Sequence, residues 1–257
     1  MAENGWIFSQ RPDCIPNPIH QAACLHEIYA HARSDFTGRV TVPVLWDKQT
    51  KTILNYESAE ILRMLDTACD TIGDSSVGFY PLPLHQQIDS MIQDLYHRVN
   101  NGVYRAGFAR SQESHDEAVT DVFAALDHYE AVLSKQRYLC GSALTEADWC
   151  FLPTVIRFDL VCHGHFKCYL RRITGYPNLW NYVKDLYQVP GVAETCHFTH
   201  IKQHYYQSHE SINPARIVPS GPEIDVSASH NRGAMTNNGS NRNKEASHGK
   251  ASDFFVR

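Results

Sequence analysis

The chain has 257 residues, with 28 Asp and Glu against 23 Lys and Arg for a formal net charge of −5, and it is 43% hydrophobic and 20% charged. That length holds one good core or two small ones, and the charge balance offers no basic excess to attract a phosphate backbone, so nucleic acid is not an expected partner. No apolar run approaches the roughly 18 residues of a membrane helix, and MAENGWIFSQ lacks the charged start and apolar core of a secretory signal, which makes the cytoplasm the expected compartment and excludes a membrane partner.

From Pro18 to Ala32 the apolar residues Ile19, Ala22, Ala23, Leu25, Ile28 and Tyr29 recur near helical spacing. Thr41 to Trp46 reads as a strand, residues 47–51 as a polar turn and Thr52 to Asn55 as a second strand. A helix follows over Ser58 to Cys69 with Ile61, Leu62 and Leu65 inward. Two short strands are too few for a stable sheet domain. After a loop around Gly73 to Leu82 the pattern turns helical: Leu84, Ile88, Met91, Ile92, Leu95, Tyr96 and Val99 form one face, and a second runs from Ala118 to Leu133. Thr145-x-x-Asp148 is a capping pattern opening a strongly apolar, buried central helix. Pro177 opens another helix, and Pro190-Gly191 punctuates before a last one over His197 to Tyr206. Beyond Pro222 little remains to bury, so 223–257 is expected to be a disordered tail. The eight cysteines form no CxxC pair, which favours reduced thiols.

The motifs GRVTVPVLWD, NYESAEILRML, VNNGVYRAGFA, LTEADW, RFD followed by HFKC, YPNLW, GVAET, HIKQHYY and SINP, in this order, closely resemble the glutathionyl-hydroquinone reductases, the Xi-class glutathione transferases. The resemblance runs from about Gly5 to Pro222. It implies a mostly helical glutathione transferase fold: a partial thioredoxin-like α/β domain over 1–75, an all-helical domain over 80–222 and a homodimer through the helices. It also implies that a cysteine in a Cys-Pro-Trp-Ala stretch attacks the glutathionyl sulfur, the hydroquinone leaves, and glutathione, the co-substrate, resolves the mixed disulfide. No Cys-Pro-Trp occurs in the chain. The sequence reading is therefore of a family member without its first strand, nucleophile helix and next strand, inactive or nearly so, and without any bound cofactor. The alternative is a non-catalytic helical interaction module.

Site residues follow from the same resemblance. Arg39, Val40, Thr41 and Val42 line the glutathione side, with Val42 pairing the peptide like an added strand ahead of a cis Pro43. Glu57 and Ser58 stand at a helix start, where free N–H groups and the positive dipole end favour a carboxylate; a plain cap by Ser58 is the other reading. Tyr104 matches the proton donor or acceptor for the quinol, against simple core packing. Tyr205 matches a hydrogen-bond donor that lowers the nucleophile's pKa. Cys162 stands where the family has a second such tyrosine, and a thiol is a shorter, weaker donor. Cys14, just before a helix, is a poor substitute nucleophile, because the resemblance places it in a variable loop. His197, His200 and His204, and the run Cys162-His163-Gly164-His165 with Cys168, lack an established zinc spacing, so no metal is expected.

Overall fold

The computed structural model describes residues 5–9, 14–68 and 78–236. The first unit contains α1 (Leu25–Ala32), β1 (Leu45–Asp47), β2 (Thr52–Asn55) and α2 (Ser58–Ala68). Pro18 does not open α1: His20 and Gln21 have φ of 50° and 52°, a left-handed conformation that no helix continues, and the helix starts only after Cys24. There Cys24 and Glu27 close a capping box. The first strand is also shorter than the 41–46 expected. Thr41 is tied to α1 instead, its carbonyl accepting from Tyr29 Oη at 2.9 Å, and Pro43, which has no N–H to give a ladder, follows the cis Val42–Pro43 bond. β1 and β2 pair antiparallel, Trp46 opposite Ile53, with a bulge at Leu45. Asp47 holds the turn by accepting from Gln49 N and Thr50 Oγ1. The expected α2 is helical over its described residues, Ser58–Ala68, and Cys69 lies outside the described residues.

The helical unit comprises α3 (His85–Leu95), α4 (Gly102–Gly107), α5 (Gln112–Leu133), α6 (Glu146–Arg157), α7 (Pro177–Tyr187) and α8 (Phe198–Ser208). Two of these run on into π-helical turns, Tyr96–Asn100 after α3 and Phe158–Cys162 after α6. Ser111 caps α5 by accepting from Ser114 N, and Ala118, Val122, Ala125, Leu126, Tyr129 and Leu133 are its buried stripe at three- and four-residue steps. The α6 capping box is present as predicted. Asp148 is wholly buried and accepts from Thr145 N, Leu139 N and Tyr182 Oη at 2.8–2.9 Å, so one carboxylate joins the helix start, the loop before it and α7. Pro177 sits at the first position of α7, whose free N–H groups at Asn178 and Leu179 donate to Glu130 of α5.

Buried apolar residues divide into a large cluster among α3–α7 and a small one of Ala22, Leu25, Ile28 and Tyr29. An ion network joins the units. Arg63 of α2 grips Glu146 of α6 with Nε and Nη2 at 2.7–3.0 Å, reaches Asp89 of α3 at 3.0 Å and lies over the Tyr80 ring.

The expectation of a structureless tail is corrected over residues 223–236. Arg232 is completely buried and donates to the carbonyls of Leu133, Gln136 and Arg137 at 2.5–2.7 Å, closing the carboxyl end of α5. Lys184 of α7 donates to the carbonyl of Ser229, and Gln188, just past its end, to those of Val226 and Ala228. Val226 adds a buried apolar contact to the large cluster, with Ile224 packed beside it. Residues 237–257 fall outside the described residues.

Candidate functional site

Tyr104 projects from the short α4 and Tyr205 from the last turn of α8, and their hydroxyl oxygens are 2.6 Å apart, a strong phenol–phenol hydrogen bond between positions 101 residues apart in sequence. Aromatic rings frame the pair. Phe108, one turn along from Tyr104, lies nearly parallel to it at 6.5 Å, and the buried Phe166 leans on Tyr104 at 5.1 Å and edge-on to Tyr205 at 5.8 Å. Phe166 gets this close because Gly107 has no side chain: a Cβ there would stand 2.1 Å from Phe166 Cδ1. Tyr104 and Phe108 remain 38% and 44% exposed, so the rings form an open aromatic surface rather than core packing alone.

Burial raises the ionisation of both phenols above the ordinary tyrosine range. For Tyr104 the neighbouring Tyr205 adds to the rise, whereas for Tyr205 the bond from Tyr104 works against it. Either hydroxyl can be the donor of the bond between them. Cys162 is wholly buried on the π-turn after α6. Burial, then Cys168, pushes its thiol well above the usual range while the Arg157 cation pulls it down, and it stays a neutral thiol. Burial likewise raises Cys168 to about 12. Arg157, in the RFD motif to which the sequence reading gave no role, is the cation that favours ionisation of Tyr104, Tyr205 and Cys162 together. Its Nη1 donates to Pro153 O at 2.7 Å.

The residues expected on the glutathione side lie on the hairpin unit and share no hydrogen bond or ion pair with the tyrosine pair among the described residues. Arg39, Thr41 and Val42 are exposed, Val40 is half-buried, and Pro43 carries the cis bond the resemblance implies. Glu57 and Ser58 stand exposed at the start of α2. The cap there is not Ser58: Asn55 Oδ1 accepts from Glu57 N at 2.7 Å, and Asn55 in turn donates to Glu60. Neither the Glu57 carboxylate nor the Ser58 hydroxyl has a hydrogen-bond partner among the described residues, so both are available to a ligand.

The seven cysteines described are free thiols, with Cys14 exposed. The histidine groups weighed in the sequence do not gather donor atoms. Among the described residues the grouping that does is Cys24, His26 and Glu27, within 4.8 Å, in the cap of α1. A cavity of about 840 Å³ opens between α8 and residues 218–225. No helix among the described residues is long and apolar enough to cross a membrane.

Residues 12–68 match the family model of the glutathione S-transferase N-terminal domain, and residues 112–185 that of the C-terminal domain. The chain is 48% identical over 233 residues to the glutathionyl-hydroquinone reductase YqjG of Escherichia coli, covering 90% of this chain and 71% of that protein. It is 47% identical over 222 residues to the glutathionyl-hydroquinone reductase PcpF of Sphingobium chlorophenolicum, covering 86% and 71%. Among solved structures, a Xi-class glutathione transferase from Natrialba magadii superposes with a TM-score of 0.89 at 47% identity over 91% of this chain and 72% of that one. The glutathione-bound structure of E. coli YqjG does so with 0.87 at 47% identity over 90% and 75%.

Proposed function

The chain belongs to the glutathione transferase family, in its glutathionyl-hydroquinone reductase branch, and from that premise we propose that its helical unit is the quinol-handling half of a reductase removing glutathione from glutathionyl-hydroquinones. The observation that carries this reading is the 2.6 Å contact between Tyr104 and Tyr205 at an exposed aromatic surface. A hydroquinone ring stacks against Tyr104 and Phe108; Tyr104 takes the hydroxyl proton while the sulfur-bearing carbon gains one from solvent, and returns it to the oxygen of the enolate that leaves when a thiolate takes the sulfur. Arg157 stabilises negative charge on the phenols during that exchange. Cys162 leaves the second tyrosine's donor role to Tyr205.

Glutathione lies along the hairpin unit. Val42 pairs with its backbone, Glu57 meets its γ-amino group, Ser58 and the start of α2 meet its γ-glutamyl carboxylate, and Arg39 meets the glycyl carboxylate. Family membership favours this over the interaction-module reading. Pairing into a homodimer through the helices and residence in the cytoplasm go with the same proposal.

Cys162 and Cys168 do not take the nucleophile's place, being buried and protonated; burial also raises Cys140 and Cys150, and the resemblance puts Cys14 in a variable loop. The 257-residue polypeptide assayed with glutathionyl-menadiol and glutathione is therefore expected to turn over at least about 1,000-fold more slowly than a relative carrying the Cys-Pro-Trp-Ala stretch. Turnover at the relative's rate would overturn the assignment of these thiols. Failure of Tyr104→Phe to weaken glutathionyl-menadiol binding would overturn the quinol site itself.

A further inference from the structure

None of the eleven residues of α8 is buried. A helix that is only half-buried, with Phe198 and Tyr205 packed on the large cluster and Tyr206 Oη donating to Leu160 O at 3.4 Å, still needs its ends pinned to fix a side chain to within a hydrogen bond. At its start Phe198 stacks on Tyr187 of α7. At its other end, one residue beyond Ser208, His209 is buried, and its Nδ1 lies 3.1 Å from Nε2 of the equally buried His165. Burial first, then Lys167 for His165 and the neighbouring histidines for His209, depresses both rings to about 4, so at neutral pH both are uncharged and one N–H serves the bond.

We infer that His165 and His209 are the positioning residues of the Tyr104–Tyr205 pair, their hydrogen bond fixing the end of α8 so that Tyr205 Oη meets Tyr104 Oη. The connection is physical and short. His209 stands edge-on to Tyr205 at 5.5 Å and to Phe108 at 5.0 Å, and Phe166, next to His165 in the chain, stacks on His209 while touching Tyr104 and Tyr205. The His209 carbonyl accepts from Ile212 N and Asn213 N, and the Asn213 amide returns to Tyr206 O, so the chain after α8 closes onto the same anchor. Sliding α8 by one residue, about 1.5 Å, would carry Tyr205 Oη out of reach of Tyr104.

This rests on the role given to the two phenols, but its test reads the phenol contact itself, so loss of the catalytic reading would leave it standing. The 257-residue chain is labelled at tyrosine Cζ with carbon-13 and the Tyr205 line is assigned with Tyr205→Phe. Tyr104→Phe gives the shift expected when the phenol–phenol bond is absent. His209→Leu is expected to move the Tyr205 line as far, and adding Tyr104→Phe to it should move the line no further. His165→Gln and His209→Asn, whose amide nitrogen and oxygen replace Nε2 and Nδ1, should leave it at the wild-type position. A merely structural loss would instead move the lines of Tyr129 and Tyr182, held elsewhere by Asp94 and Asp148, and would not be rescued. If His209→Leu does not fold, His165→Asn, too short to reach, makes the same comparison. A folded variant without the histidine bond, in which the Tyr205 line stays at its wild-type position, overturns the inference.

Discussion

Replacing Arg63 by Met tests what docks the hairpin unit on the helices. Glu146 is 1% exposed, and both its oxygens are taken by Arg63. Removing the cation leaves a buried carboxylate without compensation, a loss of about 3–5 kcal/mol when no solvent reaches the pair. Arg63 is 35% exposed, so water enters part of the vacated space, and the lower end, about 3 kcal/mol, is the expected cost. Glu146→Gln leaves Arg63 its bond to Asp89 and its place over Tyr80, and should cost about 1–2 kcal/mol. Arg63→Met with Glu146→Gln strands no charge and should cost less than the sum of the two single changes. Urea unfolding of the four proteins, followed by far-ultraviolet circular dichroism, closes the cycle, with a coupling of about 2 kcal/mol or more expected. A cost below about 1 kcal/mol for Arg63→Met, or additive single changes, would refute the argument and leave apolar contact as the dock.

Arg232→Ala removes three bonds from a charged donor to backbone carbonyls at the end of α5. Net of roughly 2 kcal/mol of side-chain entropy regained, it should cost about 2–4 kcal/mol and make residues 226–236 the first site of limited proteolysis; an unchanged cleavage pattern would show the segment unattached. His165 and His209 bind fewer protons folded than unfolded, because about 4 in the fold compares with 6.5 in the open chain. Their contribution is therefore complete above pH 6.5 and declines as pH falls toward 4, by roughly 2 kcal/mol for each ring between pH 7 and 5. Urea midpoints measured across that range should fall, and less so in His209→Asn; an equal fall in the two proteins would contradict the assignment. Toward a disulfide reagent at pH 8, Cys14 should react within seconds to minutes while Cys162 and Cys168 wait for unfolding; prompt labelling of Cys162 would show it open to solvent and ionisable.

Signals written within a few residues were legible in the sequence. The Thr145–Asp148 box, Pro177 at a helix start, the second hairpin strand and the stripe of α5 all follow from local spacing, and the motif order pointed to the family. Tyr104 and Tyr205 were each singled out through the resemblance, but their contact with one another was not legible, since no periodicity relates residues 101 apart. Partners whose sequence distance carries no pattern were not legible: Arg63 with Glu146, His165 with His209, and Arg232 with the end of α5. The tail was misread because 223–236 is held by one buried arginine, by backbone carbonyls and by Val226 in the large core cluster with Ile224 packed against it, too few apolar residues for composition to register. The first strand was overextended because Thr41 to Trp46 reads as extended in sequence, while the Tyr29 hydroxyl claims Thr41.

The bare backbone at Gly107 makes this surface intolerant in one direction only. Any larger residue there has no slack to take up, since what it meets is the body of a fully enclosed ring rather than a pliable side-chain tip. Phe166 would have to swing aside and carry both phenols with it, so an alteration as slight as one methyl group would be enough to unseat the Tyr104–Tyr205 contact.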